Sequence, residues 1–198
     1  MVIAGVGLSQ AAESGRAAEA ALAQALAPLG GAQPAALLCF ATVDHARGLE
    51  EVGARLAATG CGCVVGCTGG GVIAGLREVE AGPALVVAAI GGEGVRATPF
   101  HDPRFHEDNR AAGRRVAQAV EPGMGENPLL LAFLDPYTLE GPAFLEGVAE
   151  LGGRLPVVGA AAADDGAHGH TYQLGPAGVT AHGVSGCLLS GAVRHHVA

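Results

Sequence analysis

The chain matches itself at a fixed offset, and this constrains its architecture more than any local motif does. At an offset of 93, Leu37-Leu38-Cys39-Phe40 falls on Leu130-Leu131-Ala132-Phe133, Val64-Val65-Gly66 on Val157-Val158-Gly159, and Gly82-Pro83-Ala84 on Gly175-Pro176-Ala177. The blocks keep their order and need no gap. At an offset of 94, Arg16-Ala17-Ala18 meets Arg110-Ala111-Ala112, and Ala23-Gln24-Ala25 meets Ala117-Gln118-Ala119. An alanine- and glycine-rich chain matches itself often by chance, so the ordered blocks carry the weight. They read as two copies of one α/β unit, about residues 1–92 and 93–191, inside one domain spanning 1–198.

Hydrophobic periodicity supplies the elements. Leucines at 22, 26 and 29 lie on one face of a helix over 15–29, with Ser14 as its N-cap and Gly30-Gly31 as its stop. Leu49, Val52 and Leu56 do the same over 49–58, and further helices are predicted over 110–120 and 144–151. Continuous apolar runs at 36–41, 84–90 and 129–134 suit strands covered on both faces. Strands are also predicted at 2–8, 72–79, 95–99, 156–159 and 183–190, with a polar loop at 100–109 and a hairpin-like region at 171–181. The fold class is therefore α/β: an internally duplicated mixed-sheet unit with helices packed on the sheets, two pseudo-equivalent halves in one globule.

Composition removes several function classes. Hydrophobic residues make up 49 % and charged residues 15 %, which is ample for a core and argues against disorder. A net charge of −8 offers no basic stripe for nucleic acid, and the Arg114-Arg115 pair reads as a solvated helix face. The apolar opening stretch is too short and glycine-rich for a signal or a membrane span. Five cysteines, an odd number, fit a reducing, cytoplasmic setting.

The chemistry concentrates at two bends. Val64-Val65-Gly66-Cys67-Thr68-Gly69-Gly70-Gly71 runs from a strand into three glycines, whose backbone can enter left-handed conformations and bring N–H groups close to an anion or carbonyl. The matching stretch, Gly159 to Asp165, carries alanines and then Asp164-Asp165. An amino-acid ligand needs an anion site and a cation site. The glycine bend can supply the first and an aspartate the second, with Tyr172 adding apolar area and a hydrogen-bonding tip. A plain packing role for Cys67 and a solvated turn at Asp164-Asp165 are the alternatives. Cys61, Cys63 and Cys67 lack a fourth ligand for a metal site, since the second copy has Arg154, Pro156 and Ala160 there. His168 and His170 fit an exposed loop as well as a site, so neither a metal nor a cofactor is expected.

These residues resemble the N-terminal half of the FIST family, sensory domains of signal-transduction proteins. The resemblance rests on Val65-Gly66-Cys67-Thr68, on Leu155-Pro156-Val157-Val158-Gly159 followed by Asp164-Asp165, and on Thr171-Tyr172 and Gly183-Val184-Ser185-Gly186. It implies a small-molecule ligand, an amino acid or small carboxylate, whose occupancy is relayed to a signalling protein. It also implies a C-terminal partner domain, so that the chain is either a stand-alone variant or a truncated one.

Three readings follow. The first is a sensory module binding through Cys67, Thr68, Gly69, Gly70, Gly71, Asp164, Asp165 and Tyr172. The second is an enzyme with Cys67 as nucleophile acting on small amides or esters, with His45 or His170 brought in as base. The third is an interaction half that pairs with a C-terminal domain and self-associates when isolated.

Overall fold

Strand Ile3–Ser9 (β1) leads into helix Ser14–Leu26 (α1), strand Pro34–Thr42 (β2), helix Leu49–Ala57 (α2) and strand Val64–Gly69 (β3). Val72–Ala74 (β4) and Arg77–Val79 (β5) form a hairpin, and Leu85–Gly91 (β6) returns to the sheet. The computed structural model describes residues 1–153, 155–164, 166 and 169–196. Within them a second run follows: Val95–Asp102 (β7), Asn109–Val120 (α3), Leu129–Leu134 (β8), Gly141–Gly152 (α4), Val157–Ala161 (β9), a hairpin of Tyr172–Gly175 (β10) and Gly178–Ala181 (β11), and Val184–Gly191 (β12).

The first sheet has the order β1-β6-β2-β3-β10-β11 and the second β7-β12-β8-β9. In each, one neighbouring pair is parallel, β2 with β3 and β8 with β9, and the other pairs are antiparallel. The register also corresponds, with Leu37 opposite Val64 and Leu130 opposite Val157. Gly66 and Gly159 are both required: a Cβ at either would drive into the carbonyl of the neighbouring strand, at Cys39 and Ala132 respectively. The third sequence block falls on unlike places. Gly82-Pro83-Ala84 leads into β6, whereas Gly175-Pro176-Ala177 turns the β10–β11 hairpin.

Helices α1 and α2 cover the first sheet and α3 and α4 the second, while the sheets face one another. Between them Phe40 meets Phe133 edge to face at 5.1 Å, a geometry worth about 0.5–1.5 kcal/mol beyond burial. Ser185 Oγ donates to the Gly66 carbonyl at 2.8 Å across the same gap. With aromatics at only 4 %, close backbone approach replaces bulk. Gly5 and Gly7 of β1 lie against the carbonyls of Ala25 and Ala21 on α1, and Gly113 and Gly147 let α3 and α4 cross closely.

Three local readings change. Glu13, not Ser14, caps α1, its carboxylate accepting the Gly15 and Arg16 N–H groups at 2.8 Å. Ser14 is the first helical residue, and its hydroxyl bonds His45 Nδ1 at 3.0 Å. The stretch 72–79 is a hairpin rather than one strand because Gly75, at φ 61°, turns it. Strand β7 continues to Asp102, and Phe105 of the following loop is buried against Phe144.

Candidate functional site

The carboxyl ends of parallel strands are where α/β sheets usually leave room for ligands, and both bends lie there. They touch. The Ala163 N–H donates to the Thr68 carbonyl at 3.1 Å, and the Tyr172 N–H donates to Thr68 Oγ1 at 3.0 Å. Thr68 is buried at this junction. Strand β10 reinforces it by pairing with β3, Gln173 opposite Cys67 and Leu174 opposite Gly66.

The glycines serve this junction differently from the sequence reading. None of Gly69, Gly70 and Gly71 has a left-handed φ. Each is needed because a Cβ would stand too close to a carbonyl oxygen: 2.8 Å from Gly71 for Gly69, 2.7 Å from Asp164 for Gly70 and 2.8 Å from Val79 for Gly71. Close main-chain approach, not backbone handedness, is the requirement.

Asp164 organises its own bend. Its Oδ1 accepts the Gly166 N–H at 2.9 Å and the Tyr137 hydroxyl at 3.1 Å, and its Oδ2 accepts the Gly169 N–H at 2.8 Å. Asp165 and His168 lie outside the described residues. Tyr172, half-buried, bonds His170 Nε2 through its hydroxyl at 2.7 Å.

Behind this bend lies a polar network that the sequence reading missed. Asp135 is fully buried. Its Oδ1 accepts Thr171 Oγ1 at 2.8 Å, and its Oδ2 accepts both the backbone N–H and the hydroxyl of Thr138, at 3.1 and 2.8 Å. His182 Nδ1 stands 3.2 Å from Oδ2. Gln173 extends the chain, donating to Thr171 Oγ1 and accepting the Gly183 N–H, each at 2.9 Å. The available signal was an aspartate directly after an apolar strand, in Asp135-Pro136-Tyr137.

Cys67 is buried, and burial pushes its thiol up from 9.0 to about 12. This is the reverse of the activation a nucleophile needs. The two candidate bases are engaged elsewhere, His45 with Ser14 and His170 with Tyr172. All five cysteines are free thiols, and Cys61 donates its S–H to the Cys63 carbonyl at 3.3 Å. Among the described residues no group of three or more His, Cys, Asp or Glu is arranged to hold a metal.

The FIST N domain family model matches residues 35–198. The chain belongs to the FIST N domain family. FIST domains are sensory modules that bind small ligands. A comparison with curated proteins finds no match. Among solved structures, cyanuric acid hydrolase from A. caulinodans is similar over 97 % of this chain and 72 % of its own, with 12 % identity and a TM-score of 0.44.

In this FIST N domain Gly70 of the glycine bend borders a cleft of about 290 Å³, lined also by Thr42, Val43, Asp44, Glu80, Ala81 and Gly82. Its two charged side chains are both acidic. Thr42 fixes the wall, its hydroxyl donating to the Gly82 carbonyl at 3.1 Å and accepting the Ala84 N–H at 3.0 Å. The cleft thus brings Gly70 together with Asp44 and Glu80, while Cys67 and Thr68 lie buried behind it in β3. A wider groove of about 620 Å³ runs along the opposite strand ends and contains Cys63 and Arg96. No helix among the described residues is long and apolar enough to cross a membrane.

Proposed function

We propose that this FIST N domain is a sensory module whose ligand is an amino acid or a related small carboxylate bearing an amine. The ligand sits in the cleft at Gly70, beside the junction where the glycine bend of Cys67, Thr68, Gly69, Gly70 and Gly71 meets the bend of Asp164 and Tyr172. The observation that carries this is the direct contact between the bends beside an acidic cleft. Asp44 and Glu80 hold an ammonium group by charge-assisted hydrogen bonds, and main-chain N–H groups of the glycine bend take the carboxylate.

Relay to a signalling protein follows from the same junction. Thr68 joins elements of both sequence halves, so a ligand that tightens the bend shifts β3 and β10 together. The shared strand order of the two sheets supports reading the chain as two copies of one unit. The free thiols support a reducing, cytoplasmic setting.

The test is a thermal-shift screen of amino acids and small acids, followed by calorimetry on the best binder. A ligand at a hundredfold excess over its Kd stabilises the domain by about 2.7 kcal/mol. Asp44→Asn combined with Glu80→Gln weakens binding at least tenfold while the apo fold keeps its stability. A screen without a single stabilising compound, or unchanged affinity in the double variant, overturns the reading.

A further inference from the structure

The two hairpins hold corresponding places in the chain, yet only one is seated on another sheet's edge. β10–β11 follows β9 and precedes β12, and it packs on β12 and β7. β4–β5 follows β3 and precedes β6, and it packs on β6 and β1. The difference lies beyond. β10 pairs with the edge of β3, and its hairpin lies against α2, where Glu50 accepts the Val179 N–H at 3.0 Å. β4–β5 forms a two-stranded sheet of its own, with Ile73 68 % exposed and Leu76 at its tip fully exposed.

Among the described residues nothing pairs with the edge equivalent to β3. β9 is the outer strand of the second sheet, and Val158 to Ala161 are exposed along it. Helix α4 packs on the core of the same sheet, as α2 does on the first. On α2, Arg55 turns to Glu19 of α1, while Glu50 and Ala54, on the other side, border the seated hairpin. On α4, Glu146 and Glu150 turn to Arg110 of α3, while Leu145 and Ala149 are left exposed. Leu145 is 49 % exposed and Val158 40 %. An unpaired strand with apolar flanks is a template for strand addition.

We propose that the β4–β5 hairpin of a second copy of this chain seats on the β9 edge and the α4 face, as β10–β11 seats on β3 and α2. The contact is reciprocal, each copy giving a hairpin and receiving one, which closes a two-fold dimer. Ile73 and Leu76 of one copy cover Leu145 and Val158 of the other.

Sedimentation velocity over a wide range of concentrations tests this on the full chain. The wild type sediments as a dimer. Ile73→Asp and Leu145→Lys each give a monomer with an unchanged circular dichroism spectrum. Mixed, the two variants associate again, because one hairpin and one edge remain intact and the introduced charges are opposite. A wild type that is monomeric throughout overturns the proposal, as does a dimer that either substitution leaves intact or a mixture that fails to associate. If a variant does not fold, hydrogen exchange on the wild type decides: protection of the outward-facing Gly159 and Ala161 amides rises with concentration, and concentration-independent exchange there refutes the contact.

Discussion

Replacing Cys67 with alanine isolates the energetic consequence of its burial. The folded chain holds this thiol at about 12 against 9.0 for an ordinary one, because burial penalises the thiolate. The sign is fixed by linkage. Below pH 9 both states keep the proton and the thiol adds no pH dependence. Above it the unfolded chain loses the proton while the folded chain retains it, so stability falls as pH rises toward 12. Each pH step in that window costs about 1.4 kcal/mol, which amounts to about 2 kcal/mol near pH 10.5. Cys39, also raised to about 12 by burial and secondarily by Cys67, contributes in the same direction in both proteins. The sequence contains no lysine, so no lysine ammonium titrates in this range. Urea unfolding followed by circular dichroism at a series of alkaline pH values measures both chains. Cys67→Ala lowers stability at neutral pH by about 1 kcal/mol through lost apolar contact, and its stability then declines less steeply with pH than that of the wild type. Parallel slopes, or thiolate absorbance from Cys67 appearing near pH 9, would refute the burial argument and reopen a nucleophilic role.

Gly66→Ala forces a Cβ into the Cys39 carbonyl and separates β2 from β3, with a loss of about 3 kcal/mol or more in chemical unfolding; a loss under half that would mean the strands adjust freely. Asp135→Ala leaves Thr171 and Thr138 without their buried acceptor and costs about 3 kcal/mol. Its thermal midpoint checks this, and an unchanged midpoint would mean that the network is dispensable. Burial holds His45 and His101 below the usual 6.5, favouring their neutral forms. Their contribution is present above pH 6.5 and lost as pH falls through the folded values. Urea midpoints therefore drop between pH 7 and 5, and His101→Gln, which keeps a partner for Thr180, flattens part of that drop.

Much of the architecture was legible because burial leaves a periodic record. The Leu49, Val52 and Leu56 stripe of α2 and the apolar runs of β2, β6 and β8 each identified an element correctly, whereas the leucine stripe located α1 but not its buried face, which is Ala17, Ala18, Ala21 and Ala25, with Leu29 beyond its end. Capping was misread at Ser14 because an N-cap depends on which side chain turns back on the helix, and Glu13 does so here. The glycine bend was located correctly, but the reason for its glycines was not, since crowding by Asp164 and Val79 carbonyls arises from chain segments remote in sequence.

The order of residues alone determined the α/β class, the positions of most strands and helices and the chemical contrast between a thiol-and-glycine bend and an aspartate bend. Local sequence dictates these because propensity and hydrophobic pattern act over a few residues. Only the tertiary structure decided that the bends join through Thr68 and Ala163, that Cys67 is held protonated, that Asp135 anchors a buried network and that β10 covers the edge of β3. Each of these depends on how two sheets stack and on where one hairpin crosses to the other sheet, contacts between residues as far apart as Thr68 and Tyr172 that no window of sequence records.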